Sequence, residues 1–147
     1  MMRLPRQIVN YGPDGLLLNW EQQIATDINA SVHTYAEILR QHPAVAACVP
    51  AYASLLVRFL PPKITAYQLQ EFIYALQPVE KKERTSVLHE LPVCYDPTVA
   101  PDLASTAALL NIDGEELITL HTSTNYLVYQ IGFRPGFGFL GQTAPEL

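Results

Sequence analysis

The residues with the most chemical potential lie between His121 and Gly141. Histidine exchanges protons near neutral pH, so His121 can act as an acid, a base or a ligand anchor. Arg134 offers a planar, permanently charged fork to a carboxylate or another anion. Around Arg134 the chain reads Gly132-Phe133-Arg134-Pro135-Gly136-Phe137-Gly138-Phe139-Leu140-Gly141, with four glycines, one proline and three phenylalanines in ten residues. Glycine permits positive φ and bares backbone N–H groups, which can face negative charge developing on an amide oxygen. Pro135 fixes its own φ and pushes Arg134 toward extended geometry. The phenylalanines are expected to bury large apolar areas. Two readings follow. The run is either a tight turn with phenylalanine plugs, or a wall of a ligand site or subunit interface. In the second reading His121 and Arg134 are the catalytic candidates, and Gly132, Phe133, Pro135, Gly136 and Phe137 line the substrate. For His121 the structural alternative is a helix C-terminal histidine bonded to a carbonyl.

Other candidates are weaker. Asp102 reads as a helix N-terminal carboxylate or as a further substrate contact. His33 and His42 belong to a helix and its end, with a solvent or helix-terminal role. His89 alternates with apolar neighbours and reads as structural. No HxxxH, HExxH or CxxC spacing is present, so no metal site is expected. Ser123 lies near His121 but has no GxSxG around it, and no GxxxxGK[ST] exists to hold ATP.

These residues need a scaffold. Gln7 to Tyr11 reads as a first strand, Gly12 to Gly15 as a turn and Leu16 to Trp20 as a buried strand. Glu21 to Arg40 carries Ile24, Ile28, Val32, Tyr35 and Leu39 on one helical stripe, and Pro43 stops it. Ala44 to Val49 and Ser54 to Leu60 read as an antiparallel pair, with Leu55, Val57 and Phe59 on one face and Arg58 on the other. Thr65 to Gln68 is a capping box opening a helix through Gln77, with Ala66, Leu69, Phe72, Ile73 and Leu76 on its apolar face. Glu80 to Arg84 is a polar loop, and Ser86 to Val93 reads as the next strand. From Leu16 the order is β-α-β-β-α-β, the split βαβ or ferredoxin-like pattern. Pro101 and Asp102 then open a helix through Leu110, Asp113 opens another through about Thr122, and Asn125 to Ile131 is a strand buried on both faces.

Composition bounds the class. The 147 residues are 49% apolar and only 16% charged, with net charge −5, enough for a sizeable core in one or two domains. No basic stripe is available for phosphates, which argues against nucleic acid as a partner. Lys81, Lys82 and Arg84 are diluted by Glu80 and Glu83 and read as a solvated linker. Cys48 and Cys94 lie in apolar runs and read as buried thiols of a reduced, cytoplasmic protein. The start MMRLPRQIVNYG has no apolar h-region, so no signal peptide is expected. No run of 18 apolar residues exists, so no membrane span is expected.

Six segments, in order, carry a family resemblance. Tyr11-Gly12-Pro13-Asp14 resembles a YGD opening with Pro13 inserted, and Val49 to Val57 resembles VPAYxSLLV. Leu91 to Tyr95 resembles IPVCY, and Pro101-Asp102-Leu103 resembles GPDL with Ala100 replacing glycine. His121 with Tyr126 to Tyr129 resembles HxxxxYxVY. Gly132 to Leu140 resembles GFxPGFxYL with Phe139 replacing tyrosine. Together they resemble the family of 5-oxoprolinase B subunits, also known as allophanate hydrolase subunit 1. The resemblance implies an α+β chain with a ferredoxin-like domain over residues 1–90. Residues 91–147 would then form the first part of a cyclophilin-like β-barrel. It implies work with a homologous C subunit, and with an A subunit, to cleave 5-oxoproline to glutamate. ATP is used by the assembled complex, with no cofactor in this chain. One relative inhibits a sensor histidine kinase and others are fused into urea-degrading enzymes, so the alternative roles are a kinase inhibitor or a subunit for allophanate and urea degradation. Family members continue past the Gly-Phe loop, so an incomplete barrel, inactive in isolation, is expected here.

Overall fold

Alternation and helical stripes build one half of the molecule around a single apolar layer. The computed structural model describes residues 3–76 and 86–147. In chain order the elements are β1 (Gln7–Asn10), β2 (Gly15–Asn19), α1 (Thr26–Arg40), β3 (Val45–Pro50), β4 (Ser54–Phe59) and α2 (Ala66–Ala75). Then come α3 (Leu103–Leu110), α4 (Gly114–Thr122), β5 (Val128–Ile131) and β6 (Gly138–Leu140). The chain divides into two units. The first is Met1–Glu83 with Tyr129–Phe139, and the second is Arg84–Val128 with Leu140–Leu147.

In the first unit the sheet order is β1-β2-β4-β3, and every neighbouring pair is antiparallel. β4 lies between β2 and β3, so β2–α1–β3 is a split βαβ unit. Leu16 and Leu18 of β2 stand opposite Val57 and Leu55 of β4, and all four are fully buried. Arg58 points away from this face, and its guanidinium pairs with Asp14. Both helices cover the same face. Ile28, Val32, Tyr35 and Leu39 of α1 and Leu69 and Ile73 of α2 join Leu16, Leu18, Leu55, Val57 and Phe59 in one cluster. Each such side chain contributes roughly 1.5–3 kcal/mol by leaving water. The turn into β2 requires glycine at position 15, because a Cβ there would lie 2.3 Å from the Tyr11 carbonyl oxygen.

The helices start where their caps permit. Thr65 and Gln68 form the reciprocal capping box of α2. α1 begins at Thr26 rather than Glu21, and Ile24 lies outside it and is exposed. The residues before it are held elsewhere. Glu21 pairs with Arg3 and Arg6, and the Trp20 indole N–H donates to the Arg3 carbonyl. Of the α2 stripe, Leu69 and Ile73 are buried, while Phe72 is at the margin beside His42.

The expected last strand of the β-α-β-β-α-β pattern is not formed. Residues 86–95 carry no strand, and Val87, Leu88, Leu91 and Val93 are exposed. β1 occupies the edge beside β2 instead. Its tight turn to β2 makes that pairing local, whereas a strand after α2 would have to return across the sheet. The element order among the described residues is thus β-β-α-β-β-α before α3. His89 is exposed on this irregular segment, not set in a strand, and Cys94 is exposed rather than buried, while Cys48 is buried and both thiols are free. Glu80 to Arg84 lies outside the described residues.

In the second unit, α4 runs over the expected span, and the Asp113 side chain accepts from the Glu116 N–H at its start. α3 begins at Leu103 with Asp102 at its N-cap, and it closes on Asn111 in the left-handed conformation at φ 57. No helix among the described residues is long and apolar enough to cross a membrane.

Candidate functional site

The glycine-phenylalanine run is a hairpin turn. β5 and β6 pair, and residues 132–137 join them. The Gly132 N–H donates to the Phe137 carbonyl at 3.1 Å, and the Phe137 N–H donates to the Arg134 carbonyl at 3.1 Å. The Arg134 N–H donates to the Gly132 carbonyl at 2.7 Å, across Phe133 at φ 66. A positive φ at a phenylalanine costs of order 1–3 kcal/mol and persists only where surroundings fix it. Gly136 takes its own positive φ of 78 without that cost. Its N–H has no hydrogen-bond partner among the described residues. Pro135 follows Arg134 and carries the chain across the tip.

The phenylalanines are not core plugs. Phe133 is 82% exposed and Phe137 about half exposed, because a six-residue tip cannot fold its own side chains inward. They stack on one another: Phe133 on Phe137 at 5.8 Å, and Phe137 on Phe139 at 5.1 Å. The Arg134 guanidinium carbon sits 5.6 Å over the Phe133 ring, and Arg134 forms no ion pair among the described residues. It is therefore held by a cation–π contact with its fork free for an anion. β5 is also less buried than its alternation implies. Tyr129 is buried, but Leu127, Val128 and Ile131 are exposed.

Within the first unit, α1 and the turn before β4 position this hairpin. The buried Asn29 amide donates to the carbonyls of Ala51 and Tyr52 at 3.1 and 3.3 Å. That fixes Tyr52, whose ring meets Tyr129 at 5.3 Å and Phe139 at 6.3 Å. One turn further along α1, the His33 Nε2 bonds the Tyr129 carbonyl at 2.8 Å. His33 is therefore a partner of the hairpin and not a solvent histidine. His42 keeps its helix-end role, with Nδ1 accepting from the Ala44 N–H.

His121 belongs to the second unit. It is exposed in the last turn of α4, and Nδ1 lies 2.5 Å from the Tyr95 hydroxyl. The Tyr126 hydroxyl donates to the His121 carbonyl at 2.8 Å, satisfying one of the helix's last free acceptors. The imidazole meets the Tyr95 ring edge-on at 5.9 Å and the Tyr126 ring at 5.7 Å. One ring nitrogen is thus bonded and Nε2 is left for a ligand. Asp102 is exposed at the start of α3, with no hydrogen bond from its side chain to the cap. His121 lies in one unit and Arg134 in the other, and each is fixed within its own.

Burial pushes the Tyr35 hydroxyl and the Cys48 thiol up, the latter against the nearby Arg40 charge. The Thr98 hydroxyl and N–H bonds hold the Asp96 carboxyl below the usual range. The groove beside α3, about 430 Å³, is lined by Pro97, Pro101, Leu103, Ala107 and Ile112 among others. It holds no ionisable side chain and offers no chemistry. No group of three metal-binding side chains occurs among the described residues.

Asn29, Tyr52, Tyr95 and Tyr126 do not stand out in the sequence as site residues. Tyr52, Tyr95 and Tyr126 each lie inside a motif segment, which is the one signal that marks them.

Comparison with known proteins places the chain. Residues 6–147 match the model of the carboxyltransferase domain, subdomain C and D. The B subunit of 5-oxoprolinase from Bacillus subtilis (strain 168) is 29% identical over 154 residues, covering 95% of this chain and 64% of that protein. That of Escherichia coli O157:H7 is 28% identical, covering 92% of this chain and 63% of that protein. The chain thus spans somewhat under two thirds of the length of these relatives. A crystal structure of TTHA0988 is 30% identical and superposes with a TM-score of 0.72 over 90% of this chain and 26% of its own. On these matches, and on the six motif segments in their order, the chain belongs to the family of carboxyltransferase subdomains C and D that includes the B subunit of 5-oxoprolinase.

Proposed function

We propose that this chain serves as a component, of the B-subunit type, of an ATP-dependent 5-oxoprolinase, opening the lactam of 5-oxoproline to glutamate together with a C subunit and an A subunit. The observation that carries the reading is the family match over residues 6–147, joined to curated relatives named as the B subunit of 5-oxoprolinase. In this reading residues 1–90 form a ferredoxin-like domain, and 91–147 begin a cyclophilin-like barrel. The split βαβ sheet with both helices on one face supports the first assignment. The complex consumes ATP in the cytoplasm, and this chain supplies no phosphate-binding loop.

In this reading His121 and Arg134 are the catalytic residues. Arg134, free of ion pairs among the described residues, takes the substrate carboxylate in its fork. The Gly136 N–H faces the lactam oxygen as negative charge develops there, while Phe133 and Phe137 exclude water from the ring. The Nε2 of His121 passes a proton at the lactam. Gly132, Pro135 and Asp102 are the further substrate contacts in this reading.

The test uses a full-length relative co-purified with its C and A subunits and assayed for ATP-dependent glutamate formation. His121→Ala is expected to lower turnover about 10²-fold or more. Arg134→Ala is expected to raise KM for 5-oxoproline, with circular dichroism unchanged in both. Full activity in both variants would leave the hairpin as an interface element and His121 as a helix terminus.

A further inference from the structure

We propose that Tyr95 is a positioning residue for His121, fixing which ring nitrogen carries the proton and which way it points. This rests on the reading of His121 as a site residue. Tyr95 stands 26 positions before His121, half-buried at the end of the strandless stretch 86–95. Nothing in local periodicity requires a tyrosine there. Its hydroxyl nevertheless reaches the His121 Nδ1, and its ring stands edge-on to the imidazole at an interplanar angle of 88°. The Tyr126 hydroxyl meanwhile holds the His121 backbone carbonyl, so main chain and side chain are fixed by two separate tyrosines.

The chemistry follows from the bond. A phenol is a far better acid than a neutral imidazole N–H, so the hydroxyl donates and Nδ1 accepts. The proton of the neutral ring then resides on Nε2. His121 presents Nε2–H outward as a donor, suited to a developing negative charge or to a leaving amide nitrogen. If the ring gains a second proton, that proton enters at Nδ1 and the Tyr95 oxygen turns acceptor. The pair thus tolerates both charge states without moving the ring. The arrangement follows the rule for orienting histidines at metal and triad sites, where the bond on one nitrogen decides the role of the other. Tyr126 supplies the internal control, since it touches the main chain and the ring face but neither ring nitrogen.

The experiment is long-range ¹H–¹⁵N correlation spectroscopy on the 147-residue chain, reading the His121 ring nitrogens at a pH where the ring is neutral. In the unmodified chain Nδ1 is expected to be unprotonated and displaced upfield by an accepted hydrogen bond, with Nε2 protonated. Tyr95→Phe keeps the edge contact, removes the hydroxyl and should return Nδ1 to the position of a free imidazole. Tyr126→Phe should leave the nitrogens where they are. A protonated Nδ1 in the unmodified chain, or nitrogens indifferent to Tyr95→Phe, overturns the proposal. In the assembled relative the matching change is expected to lower kcat by up to about 10²-fold with KM preserved, as a misaligned group does. The two readings separate cleanly. If His121→Ala retains full turnover, the functional role of the histidine falls, while the nitrogen shifts still report whether Tyr95 positions it.

Discussion

The two units use similar apolar material in opposite ways. In the first, β2, β4, α1 and α2 close on each other, and Leu16, Leu18, Val32, Tyr35, Leu39, Leu55, Val57, Leu69 and Ile73 lose all contact with water. In the second, Ala107 and Leu117 are the only buried hydrophobic residues among those described, while Leu91 is 80% and Leu109 87% exposed. Composition does not make the difference. A sheet offers a flat face that two helices can seal, whereas α3 and α4 are short and meet along a narrow seam. Stability is therefore concentrated in the first unit, and the second carries its site on a few specific hydrogen bonds.

Ile28→Ala removes a fully buried side chain and is expected to cost about 2–5 kcal/mol in chemical denaturation. An unchanged midpoint would mean that the first unit does not hold the stability assigned to it. Next in size is Asn29→Ala, which removes two part-buried hydrogen bonds to the Ala51 and Tyr52 carbonyls and should cost about 1–3 kcal/mol. It should also loosen the Tyr52–Tyr129 contact, visible as a change in near-ultraviolet dichroism. Thr65→Ala opens the capping box of α2 and is expected to cost about 1 kcal/mol. At the other extreme, Phe133→Gly relieves a positive φ but gives up the contacts of the ring with Phe137 and Arg134 and frees the unfolded chain, so the opposing effects should leave a net change of no more than about 0.5 kcal/mol. A large loss there would reveal a packing role for the hairpin tip.

The cysteines sharpen the contrast without any substitution. Cys94 is exposed, whereas Cys48 is buried and its thiol is pushed up by desolvation, which lowers the thiolate fraction at neutral pH. A thiol reagent is expected to label Cys94 at once and Cys48 only as the first unit opens. Simultaneous labelling would show that the sheet and its helices do not protect their interior.

What can be read ahead of the structure is whatever a short window contains. The stripe from Ile28 to Leu39, the alternation of Leu55, Val57 and Phe59, and the Thr65–Gln68 box are all local, and all are present. The strand at Gln7–Asn10 is legible too, but its place at the edge beside β2 is not, because pairing is decided across the sheet. β1 and the segment after α2 compete for one side of β2, and the shorter connection holds it. The phenylalanines mislead because their type suggests burial, yet a hairpin tip has no interior. The polar helpers are the hardest to see. Asn29 and His33 look like ordinary residues on a polar helix flank until their acceptors, at Tyr52 and Tyr129, are brought beside them.

The His33–Tyr129 bond joins residues 96 positions apart, and this has a consequence for biosynthesis. A ribosome adding about 5–20 residues per second leaves α1 waiting roughly 5–20 s before its hairpin partner has been made. During that interval the ring of Tyr52 and the flank of α1 lack the cover that Tyr129 gives them in the folded chain. The first unit is thus completed by material translated after most of the second. A ribosome stalled between α4 and β5 should present a nascent chain with its sheet formed and its aromatic shelf bare, because Tyr129 and Phe139 have not yet been made.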